Sequence, residues 1–208
     1  FRGTAEAVHL KSWVYGLPNS QDLQRVPNTD FWYLTLDIPP KSRVEYKLEI
    51  VNHGTGHWIQ DPLNPFHATD PFGANSVAHG EGYAVPEWTI SDPEARSGVM
   101  EEWAVKSKVF NEKRGLHVYL PARFRKTRRY SVIFVHDGHD YVRYANMKTV
   151  LDNLIHRLEI PSIIVAFSTS PNRMGEYADD ERHARYVTEE VFPDLEKRLP
   201  LIALPRAR

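Results

Sequence analysis

The chain has 208 residues, of which 41% are hydrophobic and 12% aromatic, so it can bury a sizeable core and is neither disordered nor fibrous. With 26 Lys and Arg against 27 Asp and Glu, the net charge of −1 leaves no global attraction toward nucleic acid or an anionic membrane surface. The absence of cysteine excludes a disulfide framework, a thiolate zinc site and a cysteine nucleophile.

Residues 1 to about 95 hold most of the prolines and four of the five tryptophans, Trp13, Trp32, Trp58 and Trp88. Short β-branched and aromatic runs between turn formers read there as an all-β domain. Val8 to Tyr15 is a first strand, and Phe31 to Ile38 is a second that ends at Pro39-Pro40. Val44 to Ile50 alternates apolar with charged residues, which predicts one buried and one wet face. Asn52 to Gly56 supplies a turn. Asp61 to Val77 is rich in Pro, Asn and Gly, and reads as an ordered loop studded with aromatics. Core packing is the expected fate of the aromatics in this half, with a stacking platform for sugars or catechols as the alternative.

Glu87 to Gly98 carries Pro and Ser and reads as a linker. Beyond it, Leu116 to Leu120 is a strand stopped by Pro121, and Val132 to Val135 is an apolar run of the kind buried on both faces. Met147, Leu151, Leu154, Ile155 and Leu158 recur at helical spacing, which predicts an amphipathic helix over Tyr141 to Leu158, ended by Pro161. Ser162 to Phe167 is a second buried strand, expected to run parallel to the first. Asp179 to Leu199 is a further helix, with Asp179 or Asp180 as N-cap, Tyr186, Val187, Val191 and Leu195 toward the sheet, and a kink at Pro193.

In an open parallel sheet ligands sit at the carboxyl ends of the strands, so two loops matter. The first is His136-Asp137-Gly138-His139-Asp140-Tyr141, where Gly138 lets backbone N–H groups approach a ligand; an ordinary turn and helix cap is the alternative. His136, Asp137, His139 and Asp140 are also residue types that ligate zinc or iron, but no further ligand has a recognisable spacing. The second loop, Ser168 to Tyr177, holds Arg173 and Glu176: either the guanidinium clamps a substrate oxygen, or the two pair with each other or with Asp179 and Asp180. No Gly-x-Ser-x-Gly elbow, Gly-x-Gly-x-x-Gly turn or phosphate-binding loop occurs in the 208 residues.

The order of these features resembles the enterochelin esterase family. Asp30 to Leu36, Glu45-Tyr46-Lys47, Asp61 to Pro65, Asp70 to Val77, Val118 to Pro121, His136-Asp137-Gly138, Asn172-Arg173-x-x-Glu176-Tyr177 and Glu189 to Leu195 carry the resemblance, from about residue 8 to the end. It implies an immunoglobulin-like, early-set β-sandwich over 1–95, followed over 96–208 by the N-terminal part of an α/β-hydrolase doubly wound parallel sheet. It implies a serine carboxylic ester hydrolase acting on a siderophore trilactone or a related ester, without cofactor or metal. The family's Ser, Asp and His lie beyond the last residue, so the chain alone is expected to be inactive and to need the C-terminal half of the hydrolase, attached or separate. The resemblance implies backbone oxyanion-hole donors at Gly138 and His139, and substrate contacts from Asp137, Arg173 and Glu176. The ends read as cut, since the chain starts at Phe1 without Met and Leu199 to Arg208 looks like the approach to the elbow strand. The longest apolar runs are a few residues, far below the ~18–20 that span a bilayer, so a soluble, cytoplasmic protein is expected, with a homo-oligomer as an option and neither nucleic acid nor membrane as partner. The rival reading is a glycan- or aromatic-ligand-binding module with a degenerate hydrolase half.

Overall fold

The computed structural model describes residues 1–14 and 18–202, and divides into two compact units, Phe1–Val85 and Pro86–Arg208. Tyr15 of the expected first strand, and residues 203–208 of the expected elbow approach, lie outside the described residues.

The first unit is built on a six-stranded antiparallel sheet in the order β2(Ser20–Asp22), β1(Ala7–Ser12), β5(Arg43–Asn52), β8(Gly73–His79), β7(His67–Asp70), with β6(Thr55–Ile59) also paired to β5. The alternating run makes β5 the longest strand: β1 covers one edge, while β6 and β8 share the other. A ribbon of β3(Gln24–Arg25) and β4(Trp32–Tyr33) forms the second sheet among the described residues. Trp32 from that ribbon joins Ala5, Val8, Leu48 and Ile50 in the core.

Two expectations change here. Phe31 to Ile38 is not one strand; Trp32–Tyr33 pairs with β3 and Phe31 makes a single bridge to Arg2, while Leu34, Leu36 and Ile38 wall a cavity of about 410 Å³. Asp61 to Val77 is not all loop, since β7 and β8 form a hairpin. Asp70 Oδ1 accepts the Phe72 N–H at 2.7 Å and Gly73 takes φ 123°, so the residues that looked hostile to a ladder make its turn. Buried Asn75 donates its amide to Glu45 and Asp70, which satisfies its nitrogen, while its side-chain oxygen is buried without a partner among the described residues.

The second unit has a four-stranded sheet ordered β11(Val132–Val135), β12(Ile164–Ser168), β10(Glu112–Leu120), β9(Val99–Ser107). Only β11 and β12 are parallel, as expected for that pair; β9 and β10 form a hairpin and β10 runs antiparallel to β12, so the sheet is mixed rather than fully parallel. The two faces are read from alternation. Leu116, Val118, Leu120, Ile164 and Ala166 face Tyr186, Val191 and Leu195, whereas Tyr119, Val165 and Phe167 face Leu151 and Ile155. Val132–Val135 departs from two-sided burial, with Ile133 46% exposed, because β11 is the edge strand of the described sheet. A single parallel bridge, Tyr130 to Leu201, adjoins its start.

The expected helix over Tyr141 to Leu158 is two helices, α1(Gly138–Tyr144) and α2(Met147–His156). Asn146 at φ 49° breaks the chain between them, and Leu158 is left 87% exposed after the last turn. The helix expected over Asp179 to Leu199 runs without an extended break from Glu181 to Arg198, with Asp180, one of the two expected caps, at its start. α3(Arg173–Asp179) ends at extended Asp180, whose carboxylate then accepts the Arg182 N–H and caps α4(Glu181–Arg185). A π-helical turn, Tyr186–Val191, leads into α5(Phe192–Arg198), with Pro193 in its first turn.

Residues 86–98 are held by α2 rather than free to act as a linker, and the division between the units falls after Val85, ahead of the boundary read from composition. Asn153 Nδ2 donates to the carbonyls of Trp88 at 2.9 Å and Ile90 at 2.7 Å. Asp152 Oδ1 accepts the Gly98 N–H at 2.7 Å and the Tyr119 hydroxyl at 2.8 Å, while Oδ2 takes Ser97 and Lys148. Burial above all pushes the Tyr119 phenol up, keeping it a neutral donor. Asp152→Asn forfeits the Lys148 ion pair and part of this acceptor capacity, and is expected to lower stability by about 2 kcal/mol in urea unfolding. Among the described residues no helix is long and apolar enough to cross a membrane.

Candidate functional site

The parallel pair β11 and β12 brings the two candidate loops side by side at the carboxyl ends of the strands. After Val135 the chain turns at Asp137, which takes the left-handed conformation (φ 51°, ψ 36°), and α1 begins at Gly138. Gly138 is buried, and its Cα faces the main chain of Phe167 on β12 with no room for a Cβ. The Asp137 carbonyl accepts the first helical bonds, from Asp140 N–H at 2.9 Å and Tyr141 N–H at 3.2 Å.

The loops are then stitched together. Arg173 Nε donates to Asp137 Oδ2 at 2.7 Å, the Tyr177 hydroxyl accepts the Asp137 N–H at 3.3 Å, and Thr169 Oγ1 accepts the His139 N–H at 3.1 Å. Asn172 caps α3 by accepting the Gly175 N–H. Of the expected residues, Asp137, Gly138, His139 and Arg173 therefore converge. The His139 N–H is already engaged by Thr169, whereas Gly138 at the first helical position has no intrahelical acceptor for its own.

Glu176 is placed differently from the substrate contact expected of it. It is buried, and Arg114 Nη1 and Nη2 hold its carboxylate in a fork at 2.7 and 2.8 Å. The anticipated partners of Arg173 and Glu176 are thus replaced: Arg173 pairs with Asp137, Glu176 with Arg114, and Asp180 with Arg182. Hydrogen bonding from Arg114, foremost, holds the Glu176 carboxyl below the usual range. The Arg114 guanidinium lies 3.5 Å from the Phe110 ring centroid, which covers its other face.

From Glu176 the polar chain continues outward. His183 Nδ1 lies 3.2 Å from Glu176 Oε2, and His183 Nε2 lies 3.3 Å from Nδ1 of His136, the residue that follows β11. His136 and Tyr177 meet edge to face and wall an open cleft of about 600 Å³ together with His183, Asp179, Glu181 and Val187. Among the described residues no three His, Asp or Glu side chains gather as metal ligands.

Arg114 and His183 were not singled out by sequence, although a signal for the first exists. Arg114, Leu116, Val118 and Leu120 share one face of β10 at period two, and a cation in phase with core residues requires a buried anion.

Outside this site, Trp13 and Trp58 are 59% and 52% exposed, contrary to the core packing expected of them, with ring centroids 5.7 Å apart. Trp32 alone of the four early tryptophans is buried.

Residues 107–204 match the family described as "Esterase: Putative esterase". YjcH of Bacillus subtilis, an uncharacterized protein, is 29% identical over 112 residues, which are 50% of this chain and 47% of YjcH. The enterobactin esterase FES of Shigella flexneri, crystallised in the presence of 2,3-di-hydroxy-N-benzoyl-serine, shares the fold with a TM-score of 0.68 at 19% identity, over 96% of this chain and 57% of FES. The ferric enterobactin esterase of Salmonella typhimurium gives 0.69 at 16% identity, over 94% and 57%. The chain thus spans about half the length of the proteins it matches.

Proposed function

From an esterase-family segment at 107–204 and a chain with the fold of the enterobactin esterases, we propose that this polypeptide is part of a serine carboxylic ester hydrolase of the enterochelin-esterase type. The observation that carries the reading is the turn after β11. A left-handed Asp137 throws the chain into α1 directly beside the end of a parallel neighbour, so the Gly138 N–H starts a helix at the strand end where a tetrahedral oxyanion is stabilised in a sheet of this kind. His139 is the second donor, available once Thr169 releases it. Asp137 and Arg173 form a mutually fixed pair at the rim, with the 54% exposed guanidinium presented to a substrate carbonyl or acid oxygen. The first unit is taken as an immunoglobulin-like sandwich with a short second sheet, and a siderophore trilactone or related ester as the substrate.

No Gly-x-Ser-x-Gly segment occurs in the 208 residues, so in this reading the nucleophile comes from further polypeptide, attached or separate. The isolated 208-residue chain is expected to leave p-nitrophenyl butyrate unhydrolysed and to take up no fluorophosphonate. Intact-mass and peptide sequencing of native material should reveal sequence running into such an elbow. Ester turnover by the 208 residues alone would overturn the assignment. In the active protein, Arg173→Met is expected to lower kcat/KM for an ester by about 10- to 100-fold, as for loss of a charged positioning contact.

A second reading rests on the tryptophan pair. Trp58 Nε1 donates to Glu49 Oε1 at 3.0 Å, and Glu49 is held by Lys11 at 2.8 Å, so an exposed indole is fixed with its face available to a sugar or an aromatic ring. A binding module predicts saturable quenching of tryptophan fluorescence by an oligosaccharide or aryl glycoside, lost in Trp58→Ala. Trp58→Ala itself should change stability by less than ~1 kcal/mol, as for a half-exposed side chain.

A further inference from the structure

The chain Arg114, Glu176, His183, His136 runs from the core to the cleft and has a polarity. Glu176 is an ionised carboxylate clasped by two guanidinium nitrogens, and a carboxylate only accepts hydrogen bonds. The proton on its contact with His183 therefore sits on His183 Nδ1. With both imidazoles neutral, His183 Nε2 is bare, and the contact to His136 closes with the His136 proton on Nδ1. The outer nitrogen, His136 Nε2, is then a bare acceptor, and it has no partner among the described residues.

We propose that His136 Nε2 is the hydrogen-bond acceptor for a hydroxyl group of an uncharged ligand bound in the cleft, with Glu176 and His183 as the positioning residues that fix its tautomer. The inference rests on the esterase reading, because His136 directly precedes Asp137 and Tyr177 of the cleft wall accepts the Asp137 N–H. Burial first lowers the pKa of the His136 imidazole and favours its neutral form, His183 adds to this only when it carries a second proton, and neighbouring Asp137 acts the other way. The groups facing His136 are otherwise Phe134 from β11, Tyr177 from α3 and His183 from α4. The ligand class follows from the walls. Tyr177 supplies an aromatic side, and Asp179 and Glu181 are carboxylates with no ion-pair partner among the described residues, which disfavours an anion. Asp180 and Glu176 are neutralised by Arg182 and Arg114.

Two measurements on the 208-residue protein test this. Long-range ¹H–¹⁵N spectra at neutral pH should show His136 and His183 both protonated on Nδ1; protonation of His136 on Nε2 would overturn the proposal. Phenol and anisole, which differ by the donor hydroxyl, are then titrated while the His136 signals are followed. Phenol is expected to bind about fivefold tighter than anisole, the size of one net hydrogen bond, and His136→Phe should abolish the difference. Equal binding of the two probes with the tautomer as stated would also overturn it. Neither readout requires turnover, so failure of the esterase reading would show in ester assays while leaving these results intact.

Discussion

Replacing Glu176 by Gln is expected to lower the stability of the second unit by about 3 kcal/mol, the scale on which breaking one partner of a buried ion pair acts. Arg114 and Glu176 are both close to fully buried, and each uses both ends of its fork on the other. The amide cannot supply two acceptors, so the guanidinium is left with Glu112 at 2.7 Å and the Phe110 face, which keeps the loss from being larger. The double variant Arg114→Met with Glu176→Leu removes both charges, and should recover most of the loss while still erasing the His183 contact. A pH series gives a second check. Glu176 is held below its ordinary value of 4.5, chiefly by Arg114, so its contribution is present above that value and disappears as pH falls through the folded-state value. The stability curves of the wild type and of the Glu176→Gln variant should therefore differ at neutral pH and converge in acid. Urea unfolding followed by hydrogen exchange in the second unit reads both effects; a difference under ~1 kcal/mol at neutral pH would mean the pair is not buried as described.

What could be read from sequence follows the range of the interaction. Strands whose burial is periodic were legible: Val44 to Ile50 by alternation, and Leu116 to Leu120 and Ser162 to Phe167 by their apolar runs. β9 was not, because Glu101, Glu102 and Lys106 interrupt the pattern in a strand that pairs on one side only. Breaks set by a single residue's backbone were also hidden. Helical spacing passes straight through Asn146, and only its left-handed conformation separates the two helices there, whereas the cap at Asp180 was legible from its residue type.

For the site, the two loops were placed correctly by the rule that parallel strands present their carboxyl ends, but the partners within them were not. Arg114 and Glu176 are 62 residues apart, and His136 and His183 are 47 apart. Nothing local in either segment encodes such a pairing, and a salt bridge between near neighbours, Arg173 with Glu176, lost to two longer-range ones. The exposed Trp13 and Trp58 are the reverse case, since composition favours a buried tryptophan and only the structure shows which ones the sheet leaves outside.

Gly138→Ala is expected to destabilise the second unit by about 3 kcal/mol, and the reason is space rather than backbone conformation. Gly138 is not among the residues at positive φ, and alanine in the first turn of a helix would ordinarily be favourable by up to ~1 kcal/mol. A Cβ there, however, would lie 2.6 Å from the Phe167 carbonyl carbon and 2.7 Å from its Cα, closer than real Cβ contacts come. Those atoms belong to a buried strand hydrogen-bonded on both sides, so no side-chain rotation relieves the overlap, and α1 must move away from β12. Gly115 is the control. It lies in β10 with nothing within 4 Å of its Cβ position and no positive φ, and Gly115→Ala should be neutral or stabilising by up to ~1 kcal/mol. Because α1 carries the turn, its displacement should also break the Asp137 bond to Arg173 and the His139 bond to Thr169, visible as amide shifts at Asp137 and His139. Loss of stability with those two amides unmoved would separate packing at Gly138 from the geometry of the site, and would remove the basis for assigning its N–H to an oxyanion.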